Sequence, residues 1–361
     1  MSGAGDDPPI DESAFVFNIV WTGSVFGYLR YFVASQIRHS GARFRFVLNG
    51  CVPGQAEMME RFARRFPDRV VEIYHFSDDM LAHGVALDAV FRTRDDGDYF
   101  CLIDSDIKAR APFVAPFAQA LRSGCDGVTS GRGVWNDDVV VPRGHLGVPG
   151  ECFYSPDGYL FGSPHFGMYR RAALTETMDR WGVGFGSAGR EIPAAAAAAI
   201  EAAGHRYWMY DTGKILNILF QEGGHRLCHF EHDSLVHVGG MSHYLSPPEH
   251  HGKPGSANEE PDQKWPWPAA RLEVARYSAA LLRDLCGHRP PPPMPQGLPD
   301  DLAQRLRVVR DELIDLVRTY DDDVREPSDP GRAVTSAWER TRTGVARAAA
   351  RLRRPARRGP A

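Results

Sequence analysis

Between residues 15 and 106 the chain alternates short apolar runs with segments of helical periodicity, and this limits the fold more than any other feature of the sequence. Residues 15–20 are apolar and β-branched, which predicts a buried strand. Val25, Leu29, Phe32, Val33 and Ile37 then recur at helical spacing over 25–38. Residues 43–48 predict a second strand that closes on Asn49-Gly50, a turn pair. A helix over 55–66 follows, with Met58, Met59, Phe62 and Phe66 on one face, then a strand over 70–74. A helix over 81–94 is expected to turn Leu81, Val85, Ala89 and Val90 inward. The fourth strand, 99–103, runs straight into Asp104-Ser105-Asp106. Strands alternating with helices in this way predict an α/β fold, a mainly parallel sheet with helices on both faces. Ligands of such sheets bind beyond the carboxyl ends of the strands, where both Trp21-Thr22-Gly23 and Asp104-Ser105-Asp106 fall.

The remaining sequence is less regular. Helices are expected at 192–203, built on six consecutive alanines, and at 212–221, with amphipathic helices at 269–285 and 300–320 on either side of a Pro-rich linker at 290–299. This divides the chain into a disordered 1–13, an α/β domain over 14–245, a loop with C-terminal helices over 246–325, and a flexible basic tail over 326–361. Net charge is −4, but residues 331–361 carry nine Arg and one acid, a local +8, which leaves −12 on the rest. Such asymmetry raises the question of a partner for the tail, and an anionic membrane surface is one candidate beside a solubilising role. The whole molecule shows no bias toward nucleic acid. No basic n-region with an apolar h-region opens the chain and no run approaches the length of a membrane span, so a cytoplasmic protein is expected, peripheral on the inner membrane face if the tail binds there. Six cysteines at 51, 101, 125, 152, 228 and 286 form no Cys-x-x-Cys pair, which favours buried, reduced thiols over a disulfide framework or a zinc site. High Arg, Ala and Gly usage suggests a GC-rich, bacterial source.

Two carboxylates two residues apart, just past a buried strand, repel one another and raise each other's pKa unless a cation stands between them. Mg²⁺ and Mn²⁺ prefer hard oxygen ligands and bind through one or two carboxylates plus substrate phosphates. The bland reading is a solvated turn; the strand context favours the cation site. The run Asp98-Tyr99-Phe100-Cys101-Leu102-Ile103-Asp104-Ser105-Asp106-Ile107 resembles the Asp-x-Asp segment of GT-A nucleotide-sugar-dependent glycosyltransferases, and the resemblance extends over roughly residues 15–240.

The resemblance implies a GT-A (Rossmann-like) fold, a Mn²⁺ or Mg²⁺ cofactor, a nucleoside-diphosphate sugar as donor, and transfer to a glycan, lipid-linked glycan or small-molecule hydroxyl. Asp106 would ligate the metal, and Asp104 would contact the ribose, the metal or both. His237, in His237-Val238-Gly239-Gly240, would supply a third ligand, with His232 and His243 as competitors. Trp21 and Thr22 would hold the base and ribose, unless Trp21 is a core residue. His83, Asp88 and Ser105 would line the donor pocket, and His165 would meet a sugar hydroxyl or be a turn residue. For the residue that acts on the acceptor, Asp157, Glu191 and Asp211 are candidates; Asp211 is preferred and Glu191 is second, although Asp211 can equally cap the helix it precedes. An adjacent Glu-Asp pair before the acceptor helix, expected of common inverting enzymes, is missing, so inversion and retention both stay open. Gly184-Phe185-Gly186-Ser187-Ala188-Gly189 matches a dinucleotide pattern but follows no predicted strand, so it reads as a loop, a lid or part of an acceptor site. Two other readings remain: a sugar nucleotidyltransferase, disfavoured because Trp21-Thr22-Gly23-Ser24 stands where a basic Gly-rich loop belongs, and a non-catalytic carbohydrate-binding protein of the same fold.

Overall fold

The computed structural model describes residues 10–135, 139–140, 146–148, 152–154, 161–162, 165–187, 192–246 and 269–325. The elements in chain order are β1 (Val16–Gly23), α1 (Phe26–Arg38), β2 (Arg43–Cys51), α2 (Gln55–Ala63), β3 (Val70–Ser77), α3 (His83–Thr93), β4 (Tyr99–Ile103), β5 (Ile107–Ala109), α4 (Val114–Arg122) and β6 (Gly127–Ser130). Next come β7 (Val139–Val140), β8 (Leu146–Val148), β9 (Cys152–Tyr154), β10 (Phe166–Arg170), α5 (Arg171–Trp181), α6 (Ala194–Ala202), β11 (Arg206–Tyr210), α7 (Lys214–Glu222), β12 (Leu227–His229), β13 (Leu235–His237) and α8 (Met241–Leu245). Two long helices close the series, α9 (Ala269–Cys286) and α10 (Asp300–Val324).

The main sheet has seven strands in the order β12-β6-β10-β4-β1-β2-β3. Its pairings are parallel except for β10, which runs antiparallel to both β4 and β6. This is the mixed, mainly parallel sheet expected from the alternating pattern. From β1 the chain winds outward through β2 and β3, then returns to place β4 on the other side of β1. The ends of β1 and β4 therefore flank a topological switch point, the place where an open α/β sheet leaves a crevice for a ligand.

Alternate side chains of the strands feed two cores, one on each face. On one face Phe17, Ile19, Phe44, Phe46, Cys101, Ile103 and Phe166 meet helices α1, α2 and α4. On the other, Val47, Phe100, Leu102 and Tyr169 meet α3, α5, α6 and α7. The apolar positions expected along α1 are all buried. The face expected of α3 is only partly so: Val90 is buried as expected, but Leu81 and Val85 are about 40% exposed (39% and 40%), and Ala86, Leu87 and Phe91 point inward with Val90. The helix starts only at His83, and Leu81 lies in the preceding loop, where Asn49 holds it by accepting its N–H (3.0 Å) and donating to its carbonyl (2.8 Å).

Helix α10 buries Leu306, Val309, Leu313, Leu316, Val317, Tyr320 and Val324, a spacing of three and four residues that makes one apolar stripe. That stripe joins the same core as β1 and α1. Polar contacts fasten its rim: Tyr31 donates to Asp321 (3.2 Å), and buried Lys108 on β5 bonds Glu312 (2.7 Å) and Asp315 (2.9 Å). None of the described helices is long and apolar enough to cross a membrane.

The expectation of reduced cysteines throughout is corrected. Cys125, just before β6, and Cys228 on β12 form a disulfide, with Cα atoms 6.2 Å apart and a sequence separation of 103. Parallel pairing of β12 with β6 brings the two together, a proximity invisible in the sequence spacing. Cys51, Cys101 and Cys286 are free, and burial pushes each thiol's pKa upward.

Candidate metal and donor site

The turn Asp104-Ser105-Asp106 leaves the carboxyl end of β4 at the switch point and returns into β5. Its backbone is tied to its neighbours: Asp104 donates its N–H to the His165 carbonyl (2.7 Å), and the Asp106 carbonyl accepts from Val238 (3.2 Å). Two histidines reach the turn along separate strands. His165 precedes Phe166, which stands opposite Ile103 in the β10–β4 pair, and so lies beside Asp104. His237 ends β13, opposite Ile107 of β5. Strand pairing thus brings to the turn His165, 61 positions beyond Asp104, and His237, 131 positions beyond Asp106.

Side-chain atoms converge accordingly. His165 Nδ1 lies 3.0 Å from Asp104 Oδ2, and His237 Nε2 lies 3.9 Å from that oxygen and 3.2 Å from Asp106 Oδ1. The imidazole rings of His165 and His237 are 4.4 Å apart. Asp104, His165 and His237 each offer one ligand atom, all within 4.8 Å of one another. An octahedral ion with ligands at about 2.1 Å separates adjacent ligand atoms by about 3 Å, so this spacing suits a small divalent cation. Carboxylate oxygen with imidazole nitrogen is a donor set suited to Mn²⁺ or Mg²⁺ on the oxygen side and to Mn²⁺ or Zn²⁺ on the nitrogen side.

The site is also electrostatically tense. Burial pushes the Asp106 carboxyl up, but the charge and hydrogen bond of His237, with the Met241 N–H on Oδ2 (3.0 Å), hold it below the ordinary value. Burial pulls His237 down; the Asp106 carboxylate, its hydrogen bond and the charge of Asp104 outweigh this and push it up to about 9. The Gly131 carbonyl, 2.6 Å from His237 Nδ1, fixes the ring and directs Nε2 toward the carboxylates. Glu231 in turn accepts from the Gly131 and Arg132 N–H groups, and so braces that carbonyl. To serve as a ligand His237 must release its second proton, as metal-binding imidazoles do.

The other residues singled out in the sequence lie as follows. Ser105 sits in the turn, partly buried. Trp21 is a core residue, 1% exposed and packed edge-on against Phe26 and Phe46, so its ring has no free face for a base; the base-stacking expectation is corrected. Thr22 at the end of β1 is buried. His83 opens α3. The Asp88 carboxylate is occupied by backbone, accepting from Phe185 (2.7 Å) and Gly186 (2.9 Å). Gly184 is required there, since a Cβ would stand 2.4 Å from Asp88 Oδ1. The described part of the glycine-rich loop, 184–187, is therefore latched onto α3. Asp211 does not cap α7: its Oδ1 accepts from Thr212 (2.8 Å), and Gly213 takes the cap position. Glu191 and Asp157 lie outside the described residues. His232 bonds Ser234 (2.6 Å) and is not in the ligand cluster, and neither is His243.

His165, expected to meet a sugar hydroxyl or to be a turn residue, has its Nδ1 against the Asp104 carboxylate. Two further residues were not anticipated. Buried Lys214 donates to the Gly162 carbonyl (3.0 Å), and Asn217 donates to the Phe161 carbonyl (3.0 Å) while accepting from Tyr169 (3.0 Å). Together they fasten the Phe161 and Gly162 carbonyls. The sequence signal was their position among the apolar residues Ile215, Leu216, Ile218, Leu219 and Phe220 of α7.

No family model matches the chain, and no curated protein matches it. Solved structures resemble it distantly. Staphylococcus aureus TarS, residues 1–349, is 10% identical at a TM-score of 0.40, covering 91% of this chain and 92% of that one. A mannosyltransferase from Pyrobaculum calidifontis, in complex with GDP-Man and Mn²⁺, is 13% identical at 0.34, covering 90% and 79%. A 4-diphosphocytidyl-2C-methyl-D-erythritol synthase from Anaerococcus prevotii is 9% identical at 0.34, covering 63% and 91%. Likeness this distant does not bear on chemistry, and the functional argument stands on the site itself.

Proposed function

We propose that this chain is a GT-A-type glycosyltransferase that binds a nucleoside-diphosphate sugar through a divalent cation and transfers the sugar to an acceptor hydroxyl. One observation carries the proposal: Asp104, His165 and His237 converge at the switch point of the sheet, with Asp106 against His237. In this reading Asp104, His165 and His237 hold the ion, and Asp106 Oδ1 joins them. The bound cation supplies charge to neutralise the diphosphate and stabilise it as a leaving group. The chain's own residues do the rest. Gly131 and Asp106 orient His237, and Asn217 and Lys214 hold the Phe161 and Gly162 carbonyls. Thr22, His83 and Ser105 are proposed along the donor, and Asp211 and Glu191 as carboxylates on the acceptor side. Asp88 serves by latching the 184–187 turn.

The direct test is release of nucleoside diphosphate from UDP-, GDP- and TDP-sugars, with Mn²⁺, with Mg²⁺ and with chelator. Turnover of one nucleotide class that needs the metal and disappears in Asp104→Ala supports the proposal. Turnover of sugar phosphate with a nucleoside triphosphate would instead identify a nucleotidyltransferase. Metal-independent sugar binding without turnover would identify a carbohydrate-binding protein.

A further inference from the structure

We propose that Gln36, with its neighbour Ser35, is a positioning pair that sets the geometry of the Asp104–Asp106 turn from beneath. The inference rests on the metal-site reading above and names residues that reading does not use. Both side chains lie on α1, both are fully buried, and neither touches the ligand atoms. Gln36 Nε2 donates to the Asp104 carbonyl (3.1 Å) and to the Ile107 carbonyl (2.7 Å). Ser35 Oγ accepts the Ala109 N–H (3.0 Å) and donates to the Phe32 carbonyl one turn back in α1 (2.6 Å). The two residues thus grip the chain on both sides of Asp106.

The grip is where the turn needs it. A tight reversal between β4 and β5 leaves backbone groups without strand partners, and a buried carbonyl without a donor is costly. The peptide groups on either side of Asp104 are both held, the preceding one by its N–H to the His165 carbonyl and the following one by its carbonyl, which accepts from Gln36 (3.1 Å) and from the Ile107 N–H (3.4 Å), so neither rotates without breaking a bond. One amide bridging two carbonyls also fixes the span from residue 104 to 107, and so the distance between the two carboxylate-bearing residues. Orientation of the amide is unambiguous, since both partners are acceptors. The Gln36 Oε1 atom has no hydrogen-bond partner among the described residues. A fully buried glutamine that keeps one oxygen unsatisfied is a poor choice for stability alone, because an apolar side chain of the same length would avoid that loss. Its donor function explains its presence.

Gln36→Met separates the two roles. Methionine keeps the length and volume, removes the unsatisfied oxygen and abolishes both donated bonds. Thermal unfolding in chelator and Mn²⁺ titration by calorimetry are measured on wild type, Gln36→Met and Ser35→Ala in the full chain. The expected result is that both variants fold cooperatively, with an unfolding temperature lowered by no more than the loss of one or two buried hydrogen bonds accounts for. Mn²⁺ affinity falls about 10- to 100-fold in Gln36→Met, the range seen when outer-shell partners of a metal site are removed, and falls in the same direction in Ser35→Ala. Gln36→Met folded and binding Mn²⁺ as wild type does would overturn the positioning role while leaving the metal site standing. Should Gln36→Met fail to fold, Ser35→Ala decides: wild-type affinity in that variant overturns the proposal. Wild type that binds no Mn²⁺ removes the metal-site reading, and this inference with it.

Discussion

At the scale of single residues, the site is governed by a buried imidazole between two carboxylates. A His whose pKa is raised by a partner contributes stability below its ordinary value of 6.5 and loses it as pH rises through the folded value of about 9. Because a ligand imidazole must shed the same proton, Mn²⁺ affinity should rise with pH over that window. Asp106→Asn removes the charge that raises His237. Its ring should then titrate closer to the ordinary value, which NMR of the histidine ring protons can follow, and metal affinity should fall about 10- to 100-fold. An unmoved His237 titration would mean that Asp106 does not control it. A second comparison separates ligand from bystander: His165→Ala should weaken Mn²⁺ binding at least tenfold, whereas His232→Ala, whose ring is engaged with Ser234, should leave it unchanged. Equal losses in the two variants would contradict the assignment. Asp104 and Asp106 were legible because a buried strand ran into them. His165 was named as a candidate, but its place beside Asp104 was not legible, because a lone histidine carries no distance information; its partner lies 61 residues away and is delivered by the β10–β4 register. Trp21 showed the opposite failure: a Trp at a strand end can face ligand or core, and only packing against Phe26 and Phe46 decides.

At the scale of elements, strand pairing and helix docking place the site. The alternating pattern over residues 15–106 made β1 to β4 and their helices legible, since each apolar run has one buried destination. It misjudged the face of α3, because the true helix begins after Leu81 and an Asn49 clamp, not periodicity, places that residue. Helix α10 braces β5 through Lys108, Glu312 and Asp315. Burial raises the Glu312 pKa, but hydrogen bonds from Arg110 and Lys108 hold it below its ordinary 4.5; the Lys108 hydrogen bond likewise lowers Asp315 from 3.8. Carboxylates with depressed folded pKa values contribute stability above their ordinary values and lose it as pH falls through the folded ones. Resistance to urea should therefore drop steeply below about pH 4, and Glu312→Gln should make the drop shallower. An identical acid profile in the variant would show that the brace does not contribute. The Cys125–Cys228 bridge ties β12 to the start of β6 across a long loop. Replacing both cysteines with alanine should cost about 2–5 kcal/mol by denaturant unfolding, and no change would mean that the bond does not constrain the unfolded chain.

At the scale of the whole molecule, one feature unites the parts: everything that converges on the Asp104–Asp106 turn comes from a different element. Helix α1 holds it from below, β10 and β13 bring its histidines, and α10 anchors the strand that leaves it. Such convergence concentrates the consequences of folding at one place, which is why a motif of three residues in the sequence becomes a site only in three dimensions. The central claim is that this place binds a nucleotide-sugar through a metal ion. Calorimetric titration of UDP-, GDP- and TDP-sugars into the full chain, with Mn²⁺ and with chelator, and again with His237→Ala, tests it most directly. Saturable binding of one nucleotide class that requires Mn²⁺ and is lost in His237→Ala is the predicted result. Binding that is indifferent to both metal and His237, or no binding of any donor by folded protein, would contradict it.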